Sequence, residues 1–161
     1  MRKLGIIAVL SLMALALAAV PALAANPHFL AKDTSVGQVQ PNGDLKVNFK
    51  ITGLGANETI TVRASADASA LYACQNKGGN FPSDPKKKES TGTVTASGQF
   101  TSGKNGNIVG TLTLSPPAST LKCPGGQHAV LASVTYTNIS LSGGGDTLDV
   151  DGTRSRTFFN V

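Results

Sequence analysis

Between residues 59 and 74 the chain reads TITVRASADASALYAC. Every even-numbered position, from Ile60 through Val62, Ala64, Ala66, Ala68, Ala70 and Tyr72 to Cys74, is apolar, whereas Thr59, Thr61, Arg63, Ser65, Asp67 and Ser69 are polar. Alternation with period two is the mark of a strand with one buried and one wetted face. Cys74 has the parity of the buried face. A strand of this length is unusual in a small domain, so a bulge or break is expected near Asp67.

The same reading extends along the chain. Residues 26–29 form a short arm and residues 34–40 a first strand. Pro41-Asn42-Gly43-Asp44 is a turn, because Pro presets φ and Asn and Gly tolerate positive φ. Leu45, Val47, Phe49 and Ile51 then alternate with Lys46, Asn48 and Lys50 in a second strand. Residues 75–89 (QNKGGNFPSDPKKKE) lose the alternation and read as a long surface loop. Residues 91–100, with Val94, Ala96 and Phe100 inward, and residues 107–114, with Ile108, Leu112 and Leu114 inward, flank TSGKNG. Its Asn-Gly pair predicts that the two segments form a hairpin. Val130, Ala132, Val134 and Tyr136 share one parity, Ile139 and Leu141 the other, which predicts a bulge near Thr137. Leu148 and Val150 mark a short strand, and residues 154–161 a last one ending on Phe158 and Phe159. No helical apolar periodicity occurs after residue 25. The expectation is an all-β chain of about seven to nine antiparallel strands, an immunoglobulin-like β-sandwich. The absence of tryptophan departs from the antibody-type version of that fold.

The N-terminus changes the picture of where this domain works. Arg2 and Lys3 precede an apolar or small run from residue 4 to residue 20, Pro21 breaks it, and Ala22-Leu23-Ala24 offers small residues where a signal peptidase inspects the chain. Residues 1–25 are therefore expected to be a signal peptide cleaved after Ala24 or Ala25, and residues 26–161 a single secreted domain. The alternative is a membrane anchor, for which the run is about long enough. Removing Arg2 and Lys3 from the 14 basic residues leaves 12 against 9 acidic ones, a net charge of +3. That excess is too mild to imply nucleic acid. Two cysteines in an exported chain most simply pair, Cys74 with Cys123.

Three segments carry a resemblance: YAC-x-N-x-GG-N-x-P at residues 72–82, FTSGKNGNIVGTLTLSPP at residues 100–117, and CPGGQ followed by LASVTYTNIS within residues 123–140. Together the chain resembles a family of small uncharacterised secreted proteins common in actinobacteria and related soil bacteria. The family has Pro-Ser-Ala-Ala-Asn-Lys where this chain has Pro82-Ser83-Asp84-Pro85-Lys86-Lys87, so the loop here is more basic. The resemblance implies location and fold, supports the disulfide and transfers no functional site.

The search for chemistry excludes more than it finds. His28 and His128 are the only histidines, and there is no Gly-x-Ser-x-Gly, Ser-x-x-Lys or His-Glu-x-x-His pattern. With both cysteines oxidised no thiol nucleophile remains. The glutamates and the aspartates, most of them in turns, do not suggest the paired carboxylates of glycoside hydrolysis. Asp146, Asp149 and Asp151 lie within six positions and make a candidate calcium site, against the plainer reading of a solvated hairpin face. Lys77, Lys86, Lys87 and Lys88 around Phe81 make a candidate ligand loop for an anionic polysaccharide, teichoic acid or another cell-surface polymer, or for a membrane surface. The alternative there is a lysine run that only solubilises. Asn57-Glu58-Thr59 and Asn138-Ile139-Ser140 match the N-glycan acceptor pattern, a chance match in a bacterial host. No cofactor is implied. The expected function is a non-enzymatic extracellular binding or surface-associated module. The alternatives are a structural component of an extracellular matrix or coat, or an enzyme or inhibitor with an unrecognised site.

Overall fold

The computed structural model describes residues 26–161. The expected signal peptide lies outside the described residues. Among the described residues, nine strands and one short 3-10 turn, Ala31–Asp33, make up the regular structure: β1 His28–Phe29, β2 Ser35–Val36, β3 Leu45–Thr52, β4 Thr59–Asn76, β5 Lys87–Thr101, β6 Ile108–Leu114, β7 Gln127–Gly143, β8 Asp146–Val150 and β9 Arg154–Thr157. They form two antiparallel sheets. In the smaller one β3 pairs with β6 on one side and with the two short strands β1 and β2 on the other; the larger runs β5-β4-β7-β8, with β9 also on β7. The all-β sandwich read from the alternation is the architecture.

The inward faces are complementary in size. β4 contributes Val62, Ala64, Ala66, Ala68 and Ala70, a low ridge of small side chains, and the facing β3 contributes Leu45, Val47, Phe49 and Ile51, all buried. Small residues opposite large ones let the layers interdigitate at interior density. Phe49 meets Phe29 and Phe100 edge-on, at centroid distances of 6.1 and 5.1 Å. Gly110 on β6 makes room for this cluster, because a Cβ there would stand 2.6 Å from both the Phe100 and Phe49 rings. Tyr136 on β7 reaches across the sandwich and donates its hydroxyl to the Gly43 carbonyl at 2.8 Å. Gly43 is at φ +92°, so the PNGD turn both reverses the chain and presents that acceptor.

The two irregularities expected near Asp67 and near Thr137 are one feature. Ser65 pairs with Ser140 and Asp67 with Thr137, so β7 carries one residue more than β4 across this step, while both strands continue. Asn138 absorbs the extra residue at φ +51°, which returns Ile139 and Leu141 to the core side. A second shift falls between Leu71 and Tyr72.

Four expectations are corrected. Residues 91–100 and 107–114 do not pair with each other: β5 runs along β4 from Lys87 to Thr101, and β6 runs along β3. The tight turn is real, with Gly103 N–H donating to Asn107 O and Gly106 at φ +68°, but it passes the chain from one sheet to the other. Gly106 is pinned there because a Cβ would fall 1.9 Å from the Leu54 carbonyl oxygen. The loop expected over residues 75–89 is shorter. β4 extends through Asn76 and β5 begins at Lys87, so Lys87, Lys88 and Glu89 stand in a ladder opposite Ala73, Tyr72 and Leu71. Backbone pairing requires no apolar alternation, which is why the pattern hid it. The first strand, expected over residues 34–40, is confined to Ser35–Val36, and the last, expected over residues 154–161, to Arg154–Thr157. Beyond Thr157 the amides of Phe158 and Phe159 both converge on the Ala132 carbonyl instead of continuing a ladder.

Candidate functional site: a lysine groove beside the disulfide

Cys74 lies on β4 with no exposed surface, and its bond to Cys123, 49 positions on, crosses a Cα–Cα distance of 5.5 Å. The disulfide joins a strand to the segment that connects β6 to β7. That segment, residues 115–126, has no secondary structure before its closing turn. Its other fixed points are the Tyr72 hydroxyl donated to Pro117 O at 2.7 Å and the turn in which Gln127 N–H donates to Pro124 O. Burial around Tyr72 raises its phenol pKa above the ordinary value, so it stays a donor.

On the other side of β4, the Cys74 amide donates to Lys86 O at 2.9 Å. The residue before Cys123 is Lys122. One covalent bond and one backbone hydrogen bond at Cys74 therefore bring Lys122 to Lys86. The result is an open groove of about 380 Å³ lined by Lys86, Lys87, Lys88, Thr120, Leu121 and Lys122. The one ion pair among the described residues, Lys50 with Asp33 at 3.2 Å, lies elsewhere, so none of the four lysines is neutralised by a carboxylate within the same range. Glu89, the acidic group next in sequence, accepts a hydrogen bond from the Ser69 hydroxyl.

The other members of the expected ligand loop are not in the groove. Lys77 is exposed at the β4–β5 connection. Phe81 is half-buried and packs on Phe159 at 5.2 Å, and the Arg156 guanidinium stands 5.3 Å above the neighbouring Phe158. Phe81 therefore anchors the connection to the chain's last residues. Lys122 was missed in the sequence. The signal for it was present, since pairing Cys74 with Cys123 carries the lysine beside Cys123 toward whatever faces Cys74.

The acidic cluster is divided. Asp146 is spent on the fold: its carboxylate accepts the Phe29 amide at 2.8 Å and links β8 to β1. Asp149 and Asp151 line a separate notch beside Asn138 and Thr153. Among the described residues no three His, Cys, Asp or Glu side chains are gathered in an arrangement able to hold a metal ion. His28 and His128 stand on different sheets, on β1 and β7. Asp67 has its carboxyl pKa lowered, first by the Asn138 amide and then by the Thr93 hydroxyl, and serves the bulge. No helix among the described residues is long and apolar enough to cross a membrane. Compared with family models, curated proteins and solved structures, the chain matches none.

Proposed function

We propose that this chain is an exported, non-enzymatic binding module that holds an anionic cell-surface polymer or polysaccharide in the groove formed by Lys86, Lys87, Lys88 and Lys122. The observation that carries the reading is one groove lined by lysines of two distant segments, none of them paired with a carboxylate, beside the disulfide. Like charges repel, and their concentration on one surface costs the fold unless an anion neutralises them. The groove is open, which suits a chain-like ligand passing through more than a small molecule enclosed. Export through cleavage near Ala24 or Ala25 accords with the oxidised cysteines. An immunoglobulin-like assignment of the sandwich belongs to the same proposal, with one departure: the disulfide ties a strand to a connecting segment and not two strands across the core.

The test is equilibrium binding of the folded domain to poly(glycerol phosphate) teichoic acid and to a neutral glucan of similar length. The first should bind, with affinity falling steeply as salt is raised past about 0.1 M, where the screening length drops below roughly 10 Å. Changing Lys86, Lys87 and Lys88 together to Ala should abolish most of that binding, and Lys122→Ala alone should weaken it. Binding that survives the triple change, or equal affinity for the neutral glucan, would sink the proposal.

A further inference from the structure

The two sides of the sandwich are finished differently. On one, the edges are short strands stitched together across the sheets. Asp146 accepts the Phe29 amide, Arg156 donates to Val39 O at 2.9 Å, Arg154 donates to Val36 O at 3.4 Å, and β1, β2, β8 and β9 are two to five residues long. Short, charged, covered edges are how sheets avoid pairing with other chains. On the other side lies β5, a fifteen-residue edge with no bulge against β4 and no charged residue between Ser90 and Thr101.

Which β5 groups face outward follows from the ladder. The register of β4 and β5 is constant from Thr59↔Thr101 to Ala73↔Lys87. At its two ends Cys74 N–H donates to Lys86 O and Ser102 N–H donates to Glu58 O, so the even-numbered residues of β5 form the hydrogen-bonded pairs. Antiparallel ladders alternate, and the odd residues therefore point their amides and carbonyls away from β4. Among the described residues, Thr91, Thr93, Thr95, Ser97 and Gln99 find no backbone partner on that side, because β5 pairs with β4 alone. Five consecutive outward positions thus present a complete, unused row of donors and acceptors. Beneath them Val94 and Ala96 pack on the core yet remain half-exposed at this edge.

We infer that this edge pairs with β5 of a second copy of the chain, antiparallel about a two-fold axis through Thr95, to make one continuous sheet. The charge distribution selects that occupant and that direction. A parallel copy would set Lys87 and Lys88 beside their own equivalents, whereas an antiparallel copy sends the two lysine pairs to opposite ends and opposes no charged side chain across residues 90–100. Cross-strand Thr–Thr and Thr–Ser pairs of this kind are favourable, and like charges directly opposite are not. A two-fold contact of one surface with itself closes as a dimer and leaves no further β5 edge to extend. The inference stands apart from the lysine groove and uses none of its residues as contacts.

The experiment is sedimentation equilibrium of the described domain across concentrations from about 1 µM to 1 mM, joined to residue-resolved amide hydrogen exchange at both extremes. A dimer is expected, in which the amides of Thr91, Thr93, Thr95, Ser97 and Gln99 exchange at least about tenfold more slowly at high concentration, while their even-numbered neighbours are protected throughout. Thr95→Lys, an exposed change that puts two like charges near the axis, should weaken dimerisation at least about tenfold with the melting temperature of the monomer preserved. Thr147→Lys on the opposite edge should leave it unchanged. A monomer at every concentration overturns the inference, as does a dimer whose odd-numbered β5 amides exchange freely or whose affinity ignores Thr95→Lys. Protection of those amides only by an added foreign extended peptide would also overturn it and give the edge to another partner.

Discussion

Replacing both Cys74 and Cys123 by alanine should reveal how much of this fold depends on one covalent bond. The bond closes a loop of 49 residues. In the chain-entropy description, cross-linking a loop of that length removes about 14 cal/mol/K from the unfolded ensemble, or about 4 kcal/mol at 25 °C. For the 136 described residues, with an unfolding entropy near 2.1 cal/mol/K per residue, this corresponds to a fall in melting temperature of roughly 14 °C. Alanine is the right replacement because Cys74 is fully buried and a serine hydroxyl would add an unsatisfied group. The assay is urea unfolding followed by circular dichroism, the chain having no tryptophan to report. A loss below about 1 kcal/mol would refute the reasoning, since it would mean that the denatured chain does not feel the cross-link. The same variant should bind teichoic acid about as weakly as Lys122→Ala, because the segment carrying Lys122 loses its nearest anchor. Unimpaired binding would show that the groove assembles without the bond.

Other positions give independent checks. Gly110→Ala forces a methyl group into the Phe49 and Phe100 rings and should cost about 1–3 kcal/mol in the same unfolding assay; a neutral result would mean that the aromatic cluster yields freely. Tyr136→Phe leaves the buried Gly43 carbonyl without its donor and should cost about 1–3 kcal/mol. Burial, and secondarily the negative charge of Asp44, raises the Tyr136 pKa, so its contribution is full below the unfolded value of 10.0 and drains away as pH rises above it; the phenylalanine variant should lack that alkaline decline. Asp67 has a lowered folded pKa, so its stabilisation is present above the unfolded value of 3.8 and is lost as pH falls through the folded one. Melting temperatures between about pH 5 and pH 2 should therefore fall more steeply for the natural chain than for Asp67→Asn, and parallel curves would contradict the role given to its bonds with Asn138 and Thr93.

The alternation along β3, β4 and β7 was enough to name the fold class, because the burial of one strand face is a property of that strand alone. The parity change between Tyr136 and Ile139 even located the bulge, since an extra residue must appear as a shift in the apolar pattern. Cysteine count and the leader-like N-terminus pointed to the pairing of Cys74 with Cys123. What alternation does not encode is partnership. The faces of β5 and β6 suit either sheet equally well. TSGKNG specifies a reversal but not whether the flanking strands meet, and β4 offered β5 a fifteen-residue ladder while β3 offered β6 another.

The candidate site divides along the same line. Lys86, Lys87 and Lys88 were visible as a run, and their chemistry as cations needed no structure. That Phe81 turns to Phe159, that Lys77 stands apart, and that Lys122 completes the groove were decided only when the chain closed on itself. Residue types and their periodicity determined the strands, the buried faces and the supply of charge, all of which depend on near neighbours. Strand order, the sheet-crossing turn, the lysine groove and the open β5 edge rest on contacts between segments far apart in sequence. These are chosen by competition among alternative pairings of similar local energy, and only the complete tertiary packing resolves that competition.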